Sequence, residues 1–418
     1  MPFPKSVKLF RYAGLGIIGS ITHGGSFALT DPAFDMCLQY SRGEINLNEL
    51  KEFDDSLVRQ LKDSGFFSFD DNPSGPTSCY VHVTQRCNMK CLGCYSDGLD
   101  RNASDDLSLK DIECVLNSLR KIGISRIVIS GGEPFLRRDL SDIVRHAKEV
   151  CGFATVEVIT NGSVVCPSVL DDLAGYVDSL AVSFDTCSDN LQSQVRRGPA
   201  FSSLVKCVDS INNAGIHPHM IVTIHEGNWR MMREFARVAK TLGATMNFSL
   251  LTASANNLCK PFLLKEESLP GLASGLIELH CSDSEAQSDC SCICFPVKAR
   301  CGAGSTVMSV GHDGSVYPCH MLHLDDVCAG NLLKDDYRSV QSALRAISSR
   351  FADVDTIADC SDCGCRYYCG GGCRARSRIG YGDYEHKDLY CALNRRFYEQ
   401  VAGLVSCGVV KNARRYAE

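Results

Sequence analysis

The sequence predicts an α/β fold in which a parallel sheet curls into a partial (β/α)6 barrel. Two observations predict this fold. Between residues 79 and 252, six short runs rich in β-branched residues alternate with segments of helical periodicity. Cysteines, glycines and polar residues directly follow four of these runs, where barrels of this type carry their chemistry.

The first 75 residues are expected to form a separate α+β unit. Two segments have the composition of strands around a turn at residues 23–25: Leu9–Ile21 and Ser26–Leu29. Two segments with helical patterns follow them: Ala33–Tyr40 and Leu47–Ser64. Gly65 is the expected helix stop, and residues 71–76 have the composition of a linker.

The barrel segment is predicted to alternate strands with helices. The expected strands are Cys79–Gln85, Arg126–Ser130, Thr155–Thr160, Ser179–Phe184, His217–Ile224 and Thr245–Leu251. The expected helices are Leu109–Ile122, Leu140–Val150, Ser168–Tyr176, Phe201–Ala214 and Trp229–Leu242. Because each strand is followed by a helix, the sheet should be parallel, with all its carboxyl ends at one rim.

Four groups of unusual residues fall at this rim. Cys87, Cys91 and Cys94 follow the first strand with C-x3-C-x2-C spacing, and residues 131–134 (Gly-Gly-Glu-Pro) follow the second. Asn161-Gly162 and Asp185 follow the third and fourth strands. Three cysteines leave one iron of a [4Fe–4S] cube open for a cofactor, whereas an incomplete zinc site or buried thiols are the alternatives.

The composition of the chain indicates its cellular compartment and argues against some classes of partner. The chain has 25 cysteines among 418 residues and a formal net charge of −6. We find no signal peptide and no apolar run long enough for a membrane span, so metal binding in the cytoplasm is favoured over disulfides. No basic stretch is interleaved with aromatic residues, which argues against nucleic acid as a partner.

The cysteine triplet and the Gly-Gly-Glu-Pro turn resemble those of the radical S-adenosylmethionine (SAM) superfamily. The resemblance implies that SAM chelates the open iron and that its cleavage yields a 5′-deoxyadenosyl radical. It also implies that a flavodoxin- or ferredoxin-type protein supplies the electron. The residues expected to contact SAM are Gly131, Gly132, Glu133, Asn161, Ser183 and Arg196, with Arg197 as an alternative to Arg196.

One position departs from the family pattern. Many relatives have an aromatic residue directly before the third cysteine, near the adenine of SAM. This chain has Gly93 there, and its aromatic residue is Tyr95, directly after Cys94. The departure puts adenine packing in doubt and leaves the iron ligands unaffected.

The C-terminal cysteines resemble the SPASM domain, which holds two auxiliary [4Fe–4S] clusters, so three clusters are expected in all. Cys301, Gly314 and Cys319 fit its first block at the expected spacing. By this resemblance Cys301, Cys319 and Cys373 ligate the first auxiliary cluster, with Cys294 as a candidate fourth ligand ahead of Cys292 and Cys290. Four further cysteines would ligate the second cluster: Cys360, Cys363, Cys369 and Cys391. Cys365 is expected to be a bystander.

The expected domains are a peptide-recognition unit, a radical SAM barrel, a connecting helical segment and a SPASM domain. Their boundaries are 1–75, 76–255, 256–289 and 290–418. Residues 1–75 resemble the winged-helix-like element with which maturases of ribosomal peptides capture the leader of a precursor. The resemblance therefore implies a peptide maturase that forms a C–C, C–S or C–O cross-link.

Three alternatives stay open at this point. A peptide epimerase would need a hydrogen donor, for which one of the remaining cysteines could serve. An anaerobic sulfatase-maturing enzyme would carry an aspartate directly after the cysteine matching Cys319, where this chain has His320. A non-catalytic electron carrier or scaffold would have no use for an open iron. The sequence does not identify a catalytic base.

Overall fold

The structure, a computed structural model, describes residues 2–22, 25–68, 75–95, 102, 106–191, 193–253, 258–282 and 296–406. The chain divides into two compact units. The first comprises Met1–Pro73, Ser291–Cys301 and Phe351–Glu418, and the second comprises Ser74–Cys290 and Gly302–Arg350. None of the described helices has the length and apolarity needed to cross a bilayer.

The first unit begins with a three-stranded antiparallel sheet. Its strands, in spatial order, are β1 (Val7–Tyr12), β2 (Leu15–Ser20) and β3 (Ser26–Leu29). The single strand expected over Leu9–Ile21 is wrong, because the chain reverses at Ala13-Gly14. Both turn residues have positive φ, 48° and 82°, as a two-residue hairpin turn requires. Alanine rarely adopts this conformation, so the sequence carried no turn signal there.

Three helices pack on this sheet. They are α1 (Asp31–Arg42), α2 (Leu47–Phe53) and α3 (Asp55–Asp63). The single helix expected over Leu47–Ser64 is also wrong. Asp54 is extended, with φ −155°, and its carboxylate caps α3 by accepting a hydrogen bond from the Leu57 amide at 2.9 Å. Helices and sheet share one apolar core that includes Ile18, Leu61 and Phe66.

The second unit is built on an eight-stranded sheet. Its strands are β4 (Ser78–Thr84), β5 (Arg126–Gly131), β6 (Thr155–Thr160), β7 (Ser179–Phe184), β8 (His217–Ile224), β9 (Thr245–Leu250), β10 (Val307–Val310) and β11 (Val316–Tyr317). The six expected strands, β4 to β9, are confirmed as neighbours in parallel order. Sequence analysis missed β10, which extends the sheet parallel to β4, and β11, which pairs antiparallel with β10.

Helices connect the strands of this sheet. They are α4 (Leu109–Ile122), α5 (Leu140–Arg145), α6 (Pro167–Leu173), α7 (Phe201–Asn213), α8 (Met232–Thr241), α9 (Leu269–Ser282) and α10 (Tyr337–Ser349). The helix expected over Leu140–Val150 changes to a π-helix at His146–Val150. The first unit resumes after α10 with α11 (Arg366–Cys369), α12 (Arg374–Tyr381) and α13 (Cys391–Ser406).

The parallel sheet has one apolar face and one polar face. Strand pairing and the alternation of side chains assign Val81, Ile129 and Val158 to the apolar face, where each is 3% exposed or less. The other face, which we call the inner face, is largely polar. It carries Tyr80, His82, Arg126, Ser130, Glu157, Ser183, His219 and Asn247. Branched apolar side chains fill the interior of a closed packed barrel, so a polar inner face is suited to line a binding cavity.

Candidate active site

The three cysteines of the C-x3-C-x2-C motif lie on the loop that follows β4, which we call the cysteine loop (residues 85–95). All three are partly exposed. The Cys87 sulfur receives weak hydrogen bonds from the Met89 amide at 3.5 Å and from Asn161 Nδ2 at 4.0 Å. Such N–H···S contacts stabilise a thiolate, the form in which cysteine binds metal.

Three cysteines on one loop are the type of donor that an iron–sulfur cluster requires. In the described part of the chain, no three His, Cys, Asp or Glu side chains converge as they would around one metal ion. A cubane binds each cysteine through a different iron, so its ligands need not converge on one point. The donor set of the cysteine loop is therefore compatible with an iron–sulfur cluster.

Two glycines pack the turn after β5 against the cysteine loop. A Cβ on Gly131 would overlap the carbonyl oxygen of Thr84, and one on Gly132 would lie 2.6 Å from the Gln85 carbonyl oxygen. The amide of Gly132 donates to Thr84 O and that of Glu133 donates to Arg86 O, both at 2.8 Å. These glycines are thus required for contact between two loops, a reason that the sequence alone did not indicate.

Glu133 joins this turn to the end of β6. Its side chain is fully buried and accepts hydrogen bonds from Thr160 Oγ1 at 2.8 Å, the Asn161 amide at 2.7 Å and the Phe135 amide at 3.1 Å. Burial raises the pKa of Glu133, although these hydrogen bonds and the charge of Arg196 oppose the rise. The carboxylate therefore already has three protein partners at the rim.

Asn161 and Ser183 lie where the sequence predicted, at the carboxyl ends of β6 and β7. Asn161 Nδ2 donates to Asn88 Oδ1 at 3.0 Å, which fixes it beside the cysteine loop. Ser183 is 6% exposed on the inner face. The structure thus brings two predicted SAM-contacting residues to the same rim as the cysteine loop.

Asp185 organises the loop that carries Arg196. Its carboxylate is 4% exposed and accepts from Ser193 Oγ at 2.7 Å, the Val195 amide at 3.1 Å and the Arg196 amide at 3.0 Å. Arg196 is close enough to Glu133 to influence its pKa, whereas Arg197 is exposed. Of the two predicted arginines, Arg196 is the better placed.

Gly93 has a structural reason to lack an aromatic side chain. Its φ is +70°, and a Cβ there would lie 2.7 Å from Leu251 Cδ1 and 3.1 Å from Thr252 O. Tyr95 instead places its hydroxyl 3.1 Å from Ser130 Oγ and 3.3 Å from Gly131 O. The aromatic residue of this loop therefore contacts the Gly-Gly turn from a position two residues later.

Four of the predicted auxiliary ligands share one pocket in the first unit. This cysteine pocket is lined by Cys360, Cys363, Cys365, Cys369 and Cys391. The sulfurs of Cys363 and Cys365 are 3.4 Å apart, and the hydrogen bond between them lowers the pKa of Cys363. Cys365 thus touches a predicted ligand, although it was expected to be a bystander.

A buried ion pair holds Cys373 next to this pocket. Arg376 donates to both carboxylate oxygens of Asp388 at 2.7 Å, and Asp388 accepts from the amides of Cys373 at 2.6 Å and Tyr390 at 2.9 Å. Burial alone would raise the pKa of Asp388, but Arg376 and the amides of Cys373 and Tyr390 together outweigh burial and hold that pKa below its usual range. The Asp388 carbonyl also accepts from the Cys391 amide at 3.0 Å.

The remaining auxiliary ligands are less completely placed. Cys301 lies near enough to Cys373 to affect its pKa, which burial raises. Cys319 belongs to the second unit and follows β11. The fourth-ligand candidates Cys290, Cys292 and Cys294 lie outside the described residues.

Comparison with known proteins decides what this architecture is. Residues 81–239 match the radical SAM superfamily, and residues 301–364 match the SPASM iron–sulfur cluster-binding domain. This chain is a radical SAM enzyme with a SPASM domain.

Individual relatives cover most of this radical SAM enzyme. Mycofactocin maturase MftC of Mycolicibacterium smegmatis is 25% identical over 323 residues, which are 73% of this chain and 80% of MftC. Streptococcus suis SuiB, solved with its precursor peptide SuiA, has a TM-score of 0.62 at 16% identity and covers 93% of this chain and 99% of its own. The protein anSMEcpe with bound AdoMet has a TM-score of 0.67 at 15% identity and covers 81% and 96%. At these identities the solved structures show the fold alone.

In this radical SAM enzyme the sequence placed Asp185 at the rim without indicating what it positions, and it did not mark Arg376 or Asp388. The functions of Asp185, Arg376 and Asp388 depend on partners that the fold brings to them, and no spacing rule marks them. The histidines of the inner face were also missed. Alternation along β4 could have placed His82 on the same face as Tyr80, which is the one signal that was available.

Proposed function

We propose that this radical SAM enzyme matures a ribosomally made precursor peptide by forming a C–C, C–S or C–O cross-link. The observation that carries the proposal is the polar inner face beneath the cysteine loop, because it can admit a substrate to the rim where SAM would bind. The name of MftC and the solved complex of SuiB with its precursor peptide support a peptide as the substrate.

The cysteine loop would hold the first cluster through Cys87, Cys91 and Cys94. Bound there, the cluster and SAM together supply a 5′-deoxyadenosyl radical, which takes a hydrogen atom from carbon. Gly131 and Gly132 keep the turn after β5 against this loop, and Arg196 can pair with the methionyl carboxylate of SAM. Asn161 and Ser183 would contact the ribose or the carboxylate, and Glu133 would contribute to the ammonium site.

Two auxiliary clusters would raise the total to three [4Fe–4S] clusters. We assign Cys360, Cys363, Cys369 and Cys391 to one of them, because these side chains line a common pocket. Cys301, Cys319 and Cys373 would bind the other, with Cys294 as the candidate fourth ligand. Closing a bond on a substrate radical would release one electron and one proton; an auxiliary cluster would accept the electron, and the proton would pass to water.

Residues 1–75 would capture the leader of the precursor. Among the described strands, none pairs with the outer edge of β3, so that edge can accept an extended peptide as a fourth strand. A flavodoxin- or ferredoxin-type protein would reduce the first cluster. Thiolate-bound clusters are maintained in a reducing compartment, so we expect the enzyme in the cytoplasm.

The test is anaerobic reconstitution of the full chain followed by a SAM cleavage assay. We expect 5′-deoxyadenosine from the wild type and none from the Cys94→Ala variant. The chain is then co-expressed with each short open reading frame beside its gene in turn. We expect one of the encoded peptides to lose two hydrogens. Absence of 5′-deoxyadenosine would mean an electron carrier or scaffold, and an unchanged peptide mass with an inverted stereocentre would mean an epimerase.

A further inference from the structure

Three histidines meet on the inner face beside the cysteine loop. We call them the histidine group: His82 on β4, and His320 and His323 on the segment after β11. The imidazoles of His82 and His323 stack with centroids 4.4 Å apart and planes 29° apart. No predicted SAM contact and no predicted cluster ligand is among these residues.

His82 lies in the row of the sheet directly before the pair of Thr84 and Gly131, where the Gly-Gly turn begins. It pairs with Ser130 across β4 and β5, and its ring lies 5.4 Å from that of Tyr95. The Tyr95 hydroxyl is in turn 3.1 Å from Ser130 Oγ and 3.3 Å from Gly131 O. The side chain of Tyr95 therefore lies between His82 and the turn that is expected to bind SAM.

Neighbouring rings hold the imidazole of His82 in place. Ser309 Oγ and His323 Nε2 share a hydrogen bond at 2.8 Å, and Ser309 Oγ also lies 3.2 Å from the Tyr80 carbonyl oxygen. This bond orients His323, whose other face stacks on Tyr317 at 4.3 Å. Because His323 is held by Ser309 and Tyr317, its ring can hold the stacked imidazole of His82 in one orientation.

Among the described residues, two nitrogens of the histidine group have no hydrogen-bond partner. His82 is 5% exposed, and its buried Nε2 makes no hydrogen bond to any described residue. The buried Nδ1 of His320 is also unpaired within the described residues, although the His320 ring packs between Tyr80 at 4.3 Å and Tyr95 at 5.6 Å. Leaving a buried polar atom unpaired is costly, so a ligand that pairs with both nitrogens would bind favourably.

We propose that His82, assisted by His320, binds a neutral polar group of the substrate peptide and so holds the reacting segment beside SAM. This inference rests on the proposed function and names the chemistry of its substrate site. The ligand group is a backbone amide, a hydroxyl or a side-chain amide, each of which can pair with an imidazole nitrogen.

The charge state of the group excludes a carboxylate as the preferred ligand. Burial lowers the pKa of His82 well below its usual value, and the neighbouring imidazoles lower it further. Burial likewise lowers the pKa of His323 to about 3. Both rings are neutral near pH 7, so they offer hydrogen bonds without a positive charge.

Two substitutions of His82 separate hydrogen bonding from packing. His82→Phe keeps a ring that can stack on His323 but removes both nitrogens, whereas His82→Gln keeps a polar atom near the position of Nε2. The probe is the precursor peptide that matures in the co-expression experiment. The readouts are SAM affinity, 5′-deoxyadenosine formed without peptide, peptide KM, and matured peptide formed per 5′-deoxyadenosine.

We expect His82→Phe to change SAM affinity and peptide-independent cleavage less than twofold. With peptide, the yield of matured product per 5′-deoxyadenosine should fall about 10- to 100-fold, and KM should rise, because the hydrogen bond is lost. His82→Gln should recover at least part of the coupling. Visible absorption of the clusters and circular dichroism check that both variants fold.

Three results would overturn the inference. The first is that His82→Phe keeps the wild-type KM and the wild-type yield of matured peptide per 5′-deoxyadenosine. The second is that His82→Phe and His82→Gln are impaired equally. The third is that His82→Phe loses affinity for SAM. Should His82→Phe fail to fold, His82→Gln with wild-type behaviour supports the proposal and His82→Gln with fully uncoupled cleavage contradicts it. Failure of the wild type to mature any peptide would instead contradict the proposed function.

Discussion

The cysteine loop and the cysteine pocket hold their sulfurs in different ways. The loop takes all three cysteines from eight consecutive residues and is held by backbone contacts with the Gly131-Gly132 turn. The pocket draws its cysteines from a 32-residue stretch, residues 360–391, and a buried Arg376–Asp388 pair braces the chain beside it. Backbone contacts with a glycine turn therefore hold the loop, together with the partly exposed Arg86–Asp106 ion pair, whereas the pocket region is braced by an ion pair whose carboxylate is buried.

The largest expected effect tests the close packing at the cysteine loop. Gly132→Ala should lower SAM cleavage more than 100-fold, because its Cβ would lie 2.6 Å from Gln85 O and displace the loop. Single-turnover formation of 5′-deoxyadenosine measures the loss. Gly25→Ala is the matched control, since its Cβ would meet nothing within 4 Å. Activity within tenfold of the wild type would mean that the loop tolerates movement.

The next effect tests the paired charges. Asp388→Ala leaves Arg376 buried without its partner and should destabilise the chain by about 3–5 kcal/mol. Because the Cys373 amide also loses its acceptor, the variant should lose roughly a third of its iron, the share of one of the three clusters that we propose. Anaerobic chemical unfolding and iron analysis measure the two losses.

The control for the charge pair is Asp383→Ala, which breaks an exposed contact with His386. It should change stability by about 0.5 kcal/mol or less. Replacing both partners, in Arg376→Met/Asp388→Leu, should recover much of the stability because no unpaired charge remains. If Asp388→Ala and Asp383→Ala lowered the free energy of unfolding equally, burial of the Arg376–Asp388 pair would have no effect on its contribution to stability.

The smallest effect concerns the pH dependence of the neutral histidine group. The pKa of His323 is lowered to about 3 in the folded chain. As the pH falls below about 6.5, this imidazole becomes protonated in the unfolded chain but stays neutral in the folded chain. Its contribution to stability is therefore complete above pH 6.5 and is lost as the pH falls toward 3. His323→Phe should reduce the loss of unfolding free energy between pH 7 and 5.5 by about 1 kcal/mol.

Thermal unfolding under anaerobic conditions at several pH values measures this slope. Tyr317→Phe is the control, because burial raises the pKa of Tyr317 to about 12 and the phenol stays neutral throughout. An unchanged slope in His323→Phe would mean that His323 is protonated in the folded chain. That result would also remove the basis for a neutral ligand at His82.

The sequence by itself determined the six parallel strands β4 to β9, the position of the cysteine loop and the family. Those features depend on local periodicity and on fixed spacings, which are properties of consecutive residues. It misjudged the hairpin at Ala13-Gly14, where two consecutive residues have positive φ, and the helix break at Asp54, where one extended residue separates two helices. Local composition favours the regular alternative at both places.

Only the tertiary structure decided how the rim is held together and what faces its interior. Asp185 positions the Arg196 loop, and Glu133 links two strand ends, through partners that are 8 to 28 residues away in sequence. The unpaired nitrogens of His82 and His320 become visible only once β10 and β11 extend the sheet beside β4. Hydrogen bonding and burial depend on positions in space, so no pattern along the chain could have shown them.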